Sequence, residues 1–219
     1  MTKKPDRIYS TPLDEIVDFR FDEKVAAVFP DMLNRSVPGY GLMIANIGIL
    51  AGRFAQAGTV CYDLGCSLGA ASLAMRHRIA ADDCSIVAVD NSEAMIARAG
   101  ELLADDDAQV PVELACADIR DVDIENASVV VLNLTLQFIP PAERLALLEK
   151  IHAGLNKDGI LVLSEKIAFD NKERQALLDE LHHEFKRAQG YSDLEISQKR
   201  TALENVMIPE PLTVHEERL

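Results

Sequence analysis

The run Val60-Cys61-Tyr62-Asp63-Leu64-Gly65-Cys66-Ser67-Leu68-Gly69 constrains the fold more than any other stretch of this sequence. An apolar strand ends there in an acid, a glycine-bearing turn follows, and an alanine-rich helix runs from Ala70 to Arg78 or Ile79. Gly65 lets the backbone turn where a Cβ would collide with a bound ligand, and Gly69 lets the helix pack closely on the strand. The first turn of that helix offers free N–H groups to a carboxylate or phosphate. The turn departs from the dinucleotide fingerprint G-x-G-x-x-G, because Ser67 stands where the second glycine would let a pyrophosphate approach the backbone. An ordinary tight strand-to-helix turn is the competing reading.

A second strand end sharpens the choice. Ser85-Ile86-Val87-Ala88-Val89 is apolar and ends in Asp90-Asn91, at roughly the interval where nucleotide-binding βαβ units carry a ribose-binding acid. A carboxylate there can accept both hydrogen bonds of a ribose diol. Asn91 or Ser92 suits the N-cap of the helix from Glu93 to Leu103, which leaves Asp90 for a ligand.

Around these two ends, strands and helices alternate. Strand Thr59–Leu64, strand Ser85–Asp90, strand Val112–Ala115, the apolar run Ala127–Asn133 and strand Ile160–Ser164 are separated by helices or turns, and Pro140-Pro141 opens the helix before the last. A helical stretch follows from Asn171 to Gln189, and Tyr191–Arg200 leads into a helix with Leu203 and Val206 on its apolar side. The pattern is α/β: a doubly wound, mostly parallel, Rossmann-like sheet. Before it, Met1–Tyr9 reads as loosely attached. A helix is expected over Phe19–Pro30, a turn over Arg35–Tyr40, and a core helix over Gly41–Ala57. We therefore expect residues 1–57 to form an N-terminal helical section, and 58–219 an α/β ligand-binding section of the same domain.

Composition narrows the function. At 219 residues the chain fits one domain and can bury roughly 70% of its unfolded surface. A net charge of -14 argues against a phosphate-driven grip on nucleic acid. Gly41–Gly52 is too short and glycine-rich to cross a bilayer, and no apolar leader precedes the first helix, so no membrane role is expected. Cys61, Cys66, Cys84 and Cys116 lack C-x-x-C spacing, which argues against zinc and disulfides and for a reducing, cytoplasmic setting. His182-His183 reads as a helix surface pair, and His77, His152 and His215 have no partners that suggest catalysis.

Ligands of such sheets sit at the carboxyl ends of the strands, here Asp63–Gly69, Asp90-Asn91, Asp118-Ile119, Asn133 and Ser164-Glu165. Asp118 can accept an adenine amino group while the Ile119 N–H donates to the ring. Asp118-Ile119-Arg120-Asp121 also fits a β-turn, with Asp118 as its cap. Asn133-Leu134-Thr135-Leu136 lacks the proline and tyrosine of the Asn-Pro-Pro-Tyr motif, which disfavours methylation of a planar exocyclic amine.

The D-x-G-x-S-x-G pattern of residues 63–69 resembles the first motif of class I S-adenosylmethionine-dependent methyltransferases, which carry a helical lid before the first strand. Further stretches are more specific. Arg35–Tyr40 (RSVPGY), Tyr62–Ala70 (YDLGCSLGA), Val89–Ser92 (VDNS), Asn133–Phe138 (NLTLQF) and Ile196–Arg200 (ISQKR) together resemble the carboxy-S-adenosyl-L-methionine synthase family, from about Asp6 to the C-terminus. That resemblance implies an enzyme taking S-adenosylmethionine and prephenate to carboxy-S-adenosylmethionine and phenylpyruvate, without a metal. It also implies a homodimer, and a product passed to a separate enzyme that carboxymethylates wobble uridine in tRNA. Carried over by motif, the cofactor would contact Tyr40, Gly65, Cys66, Ser67, Asp90, Asn91, Asp118, Ile119, Asn133 and Arg200.

Arg200 is expected to be the catalytic residue. A sulfonium acidifies its methyl group, so proton loss gives an ylide able to capture carbon dioxide released from prephenate. The new carboxylate then needs a cationic, bidentate partner. A solvated helix face is the bland reading of Arg200. The sheet of this superfamily generally ends with two further strands, which we expect to lie beyond Leu219. A methyltransferase acting on a small acidic metabolite, a non-catalytic cofactor-binding module and, more distantly, an NAD dehydrogenase are the alternatives.

Overall fold

In the computed structural model, which describes residues 4–219, the alternating strands pair as one five-stranded parallel sheet. The order is β3-β2-β1-β4-β5, with β1 Val60–Leu64, β2 Ser85–Asp90, β3 Val112–Cys116, β4 Ala127–Asn133 and β5 Leu155–Ser164. Helices α1 Glu23–Ser36 and α2 Tyr40–Phe54 precede it; α3 Ala70–Arg76, α4 Glu93–Ala104 and α5 Pro141–Gly154 connect its strands. Then come β6 Ile167–Ala168, α6 Lys172–Ala188, α7 Asp193–Leu203, β7 Glu210–Pro211 and α8 Leu212–Arg218, with β6 and β7 paired in parallel.

The chain divides into two compact units. One comprises residues up to Tyr40 together with Lys166–Leu219; the other is Gly41–Glu165. The expected lid section, 1–57, is thus shared, with α1 in the first unit and nearly all of α2 in the second.

In the second unit β4 is buried on both faces, as its unbroken apolar run demands. Val130 and Leu132 pack with Leu64, Val89, Leu147 and Ile151 on one side, while Val129 and Val131 pack with Ile47, Ala51, Met75 and Ile86 on the other. Helix α5 therefore covers one face, and α2 with α3 the other. The order of connections reverses between β1 and β4, so the loops after these two strands flank a crevice at their carboxyl ends.

Several boundaries differ from the sequence expectation for physical reasons. Helix α1 starts at Glu23, because Asp22 caps it by accepting the Val25 N–H at 3.0 Å, and it continues through Pro30 to Ser36. Pro30 is exposed, and the burial of Val25, Val28, Phe29 and Met32 at helical spacing outweighs its one missing N–H. Strand β5 begins five residues early, since a register irregularity accommodates the polar Asn156–Gly159 stretch within it. Helix α7 already starts at Asp193, under a Ser192/Glu195 capping box, and ends before Val206.

The N-terminal segment is not loose where it is described. Asp6 is buried and accepts from the Tyr191 hydroxyl at 2.5 Å, and Gln198 holds the carbonyls of Tyr9 and Thr11 and the N–H of Leu13. Residues 1–3 of that expectation lie outside the described part. The histidine pair is half-buried rather than on the surface, with His182 Nε2 2.8 Å from the Ser36 carbonyl oxygen. His77 also has a partner, Asp106, at 2.6 Å; with Asp107 they form a surface cluster of metal-ligand types, but Arg76 already pairs with the Asp106 carboxylate at 3.0 Å. All four cysteines are free thiols, Cys61 and Cys84 lying 3.9 Å apart.

Candidate functional site

The turn after β1 is built by hydrogen bonds to the end of β2. The Gly65 and Cys66 N–H groups donate to the Val89 carbonyl at 2.8 and 2.9 Å, and the Ser67 N–H donates to Asp90 Oδ2 at 2.9 Å. Gly65, Ser67 and Gly69 all take positive φ, at 80°, 49° and 77°. Ser67 thus adopts the left-handed backbone that the absent glycine would have given, at the modest cost that region carries for a small polar residue. The space above Gly65 belongs to the protein itself: a Cβ there would overlap the Thr135 side chain, with Oγ1 only 2.5 Å away.

Asp63, the acid near the end of β1 that the sequence places among the ligand-facing strand ends, is held within the protein instead. It is 1% exposed, and its Oδ2 accepts both the N–H and the hydroxyl of Ser72, at 2.9 and 2.6 Å, which fastens the first turn of α3 to the strand. Burial raises its carboxyl to about 6 despite those bonds, and the nearby Asp90 adds to the rise.

Asp90 is less available than its neighbours' capping capacity implied. Its two oxygens accept the backbone N–H groups of Ser67 and Ser92, each at 2.9 Å, while Ser92 caps α4. A carboxylate oxygen has two lone pairs, so each can accept a ligand hydroxyl alongside its backbone N–H. Burial raises the Asp90 carboxyl above its ordinary range, and burial likewise pushes the Cys66 thiol up. Asn91 is exposed.

At the end of β3 the turn reading is the one realised for Asp118. Its carboxylate pairs with the Arg120 guanidinium at 2.6 Å, accepts the Arg120 N–H at 2.9 Å, and is held below its ordinary range by that cation. Ile119 is buried in the core beside Ile124 and Leu148.

At the end of β4 lies the strongest sign of a ligand. Asn133 Oδ1 is buried and has no hydrogen-bond partner among the described residues. An unmet acceptor of this kind costs about 1–3 kcal/mol, and native proteins keep few of them. It lies beside the Gly65 turn, across the switch point between β1 and β4. The loop that follows is clamped: Glu165 accepts the N–H groups of Thr135 at 3.2 Å, Leu136 at 2.8 Å and Gln137 at 3.0 Å. Fully buried Arg144 supports it by donating to the Ile139 carbonyl at 2.8 Å. Burial lifts the Glu165 carboxyl to about 7, against the pull of those N–H groups and of Arg144. Arg144 shares a helix face with Leu147, Leu148 and Ile151, and a cation on an apolar face was the legible signal for a buried network.

Tyr40 and Arg200 belong to the other unit. Tyr40 is the first residue of α2, half-buried, with its N–H 3.2 Å from the Val37 carbonyl. Arg200 is exposed on α7, and no carboxylate lies within ion-pair reach of it among the described residues. The second unit thus brings together Gly65, Ser67, Asp90 and Asn133, while Arg200 is placed by the fold of the first.

A switch-point crevice with a nucleoside-type turn, under a five-stranded parallel sheet, is the architecture of class I S-adenosylmethionine-dependent methyltransferases. Residues 61–159 match the family model described as a methyltransferase domain. Two solved structures share the fold at low identity. The plantazolicin methyltransferase BpumL in complex with SAH has a TM-score of 0.60 at 14% identity, with 90% of this chain and 71% of that one covered. The cyclopropane synthase MmaA2 from Mycobacterium tuberculosis has a TM-score of 0.57 at 20% identity, covering 80% of this chain and 58% of that one.

Relatives named carboxy-S-adenosyl-L-methionine synthase are far more similar. That of Trichlorobacter lovleyi is 68% identical and that of Geobacter metallireducens 69%, each over 100% of this chain and 90% of the relative. That of Aliivibrio fischeri is 58% identical over 98% of this chain and 88% of its own length. The chain belongs to the carboxy-S-adenosyl-L-methionine synthase family and is an S-adenosylmethionine-dependent enzyme.

Proposed function

We propose that the protein converts S-adenosylmethionine and prephenate to carboxy-S-adenosylmethionine and phenylpyruvate, and that Asp90, Asn133, the Gly65–Ser67 turn, Tyr40 and Arg200 hold the cofactor. Asn91, Cys66, Asp118 and Ile119 complete the proposed contacts, with Asp118 engaging adenine only if it shares its carboxylate with Arg120. The step balances without a metal or redox partner. Prephenate loses carbon dioxide and its ring hydroxyl and becomes aromatic. The departing hydroxide takes a proton from the sulfonium methyl, giving water and an ylide. The ylide carbon attacks carbon dioxide, and one new C–C bond leaves a carboxylate on the former methyl.

The observation that carries this reading over a methyltransferase is Arg200, an arginine with no carboxylate partner among the described residues. A methyl that leaves needs no cation, whereas a carboxylate that stays does. In this reading the protein works as a homodimer in the reducing cytoplasm, and its product serves a separate tRNA-modifying enzyme. With a charge of -14, it does not bind tRNA itself.

The test is mass spectrometry after incubating the protein with S-adenosylmethionine, with and without prephenate. Prephenate-dependent gain of one carboxyl on the cofactor is expected. Formation of S-adenosylhomocysteine with an acceptor would replace this reading with the methyltransferase, and no turnover would leave a binding module.

A further inference from the structure

One residue of the second unit sits in a backbone state that its side chain does not favour. Leu134, directly after β4, takes a φ of 59°. Among the described residues, the other non-glycine positions with positive φ are Ser67, Asp83, Asn126 and Asp158. Those are short polar residues, which can hydrogen-bond locally and so enter the left-handed region more easily. Leucine has no polar atom to offset the clash of its Cβ with the backbone. Such a state persists only where the surroundings over-determine it.

The end of β5 supplies that constraint. The Leu134 N–H donates to the Ser164 carbonyl at 2.7 Å. The next three N–H groups, of Thr135, Leu136 and Gln137, all donate to the Glu165 carboxylate, at 3.2, 2.8 and 3.0 Å. Four successive N–H groups are thus held by two adjacent residues. Gln137 closes the turn by donating its side-chain amide to the Leu134 carbonyl at 3.4 Å, and Arg144 holds the Gln137 carbonyl at 3.3 Å. Only a carboxylate serves all three N–H groups. A glutamine at 165 would keep one acceptor oxygen and turn an NH2 donor toward the remaining N–H.

What this turn holds is the β4 side of the crevice. Asn133, just before Leu134, carries the buried Oδ1 that has no partner among the described residues. Thr135, just after it, sets its Oγ1 and Cγ2 against Gly65. Rotation of Leu134 to an ordinary negative φ would redirect the chain between these two residues, so their present placements depend on its torsion. We infer that Glu165 is a positioning residue for the cofactor: it locks Leu134 in the left-handed state and thereby aims the Asn133 carboxamide oxygen at a hydrogen-bond donor of S-adenosylmethionine. Glu165 acts through the backbone of residues 134–137 and takes no part in the chemistry. This rests on the cofactor occupying the crevice, as proposed above, and not on which reaction follows.

The experiment is a double-mutant cycle on the whole protein, read by calorimetric titration of S-adenosylhomocysteine. It is run at pH 8, above the Glu165 value of about 7, with thermal melting as the check on folding. Glu165→Gln should weaken the ligand about tenfold or more. In a Leu134→Gly background, where positive φ carries no strain, the same substitution should weaken it no more than about threefold. Leu134→Val leaves Glu165 intact and should itself weaken the ligand about tenfold, because a β-branched residue tolerates this torsion still less. That arm decides the matter if Glu165→Gln does not fold. Equal losses in both backgrounds, unchanged affinity in folded Glu165→Gln, or unchanged affinity in Leu134→Val would overturn the assignment. Asn133→Ala separates the two ways of failing. If it weakens the ligand while the cycle shows no coupling, only the positioning role falls; if it leaves affinity unchanged, the cofactor is not held at this end of β4 and the proposed site falls with it.

Discussion

Gly65 and Thr135, on the loops that follow β1 and β4, meet so closely that the first position has room only for hydrogen. Gly65→Ala would place a methyl on Thr135 Oγ1 and Cγ2 and would hold an alanine at a φ of 80°. The expected loss is about 2–4 kcal/mol, the sum of overpacking and left-handed strain. Adding Thr135→Ala removes the two colliding atoms and should restore about half, since the backbone strain remains. Urea denaturation of the single and double variants checks this, and full recovery would show that strain contributes nothing.

Asn133 should show stability and binding moving apart. Its unmet Oδ1 penalises the empty protein, so Asn133→Ala should change stability by no more than about 1 kcal/mol. Cofactor affinity should nevertheless fall about tenfold, because the acceptor that the ligand satisfies is gone. Calorimetry paired with thermal melting reads both. A large loss of stability with intact affinity would make Asn133 a packing residue.

Glu165 predicts a pH dependence with a definite sign. Its folded value of about 7 lies above the ordinary 4.5, so the folded state holds the proton more tightly. That contribution is fully present below about pH 4.5 and is lost as pH rises toward 7. Relative to Glu165→Gln, the wild-type protein should therefore lose stability between those limits, by at most about 3 kcal/mol. Denaturation curves for the pair at pH 5, 6, 7 and 8 measure the slope. A difference that stays constant with pH would mean that Glu165 is ionised throughout.

Arg200 should discriminate between two ligands that differ by one carboxylate. Arg200→Ala should leave S-adenosylmethionine affinity within a few-fold and weaken carboxy-S-adenosylmethionine by about 1.5–3 kcal/mol, the worth of hydrogen bonds to a charged group. Arg200→Lys should recover part of this, because an ammonium lacks the planar fork. Paired titrations decide: equal losses for both ligands would make Arg200 a general cofactor residue, and no loss for either would return it to the solvated face of α7.

The parallel strands were legible because a strand buried on both faces must be apolar throughout, and β4 is. The polar Asn156–Gly159 stretch hid the first half of β5, since a bulged strand and a turn use the same residues. Asp90 shows the limit at the site. Its position at a strand end was readable, but its two backbone partners come from the Ser67 turn and from Ser92, and sequence spacing does not reveal which atoms a carboxylate already holds. Glu165 was readable as a strand end and Arg144 as a cation on an apolar face, but their partners were not, because these come from loops that only the folded sheet brings together.

Ser67, with its φ of 49°, carries a lesson about how such loops are searched for. What the ligand-binding turn requires at that position is a torsion angle, and chemistry enters only through which side chains tolerate it. Glycine takes that angle freely, asparagine and aspartate tolerate it, serine pays about 1–2 kcal/mol, and for valine or isoleucine it is an outlier. A consensus spelled in amino-acid letters discards this loop one character short of a match; a consensus spelled in backbone angles retains it.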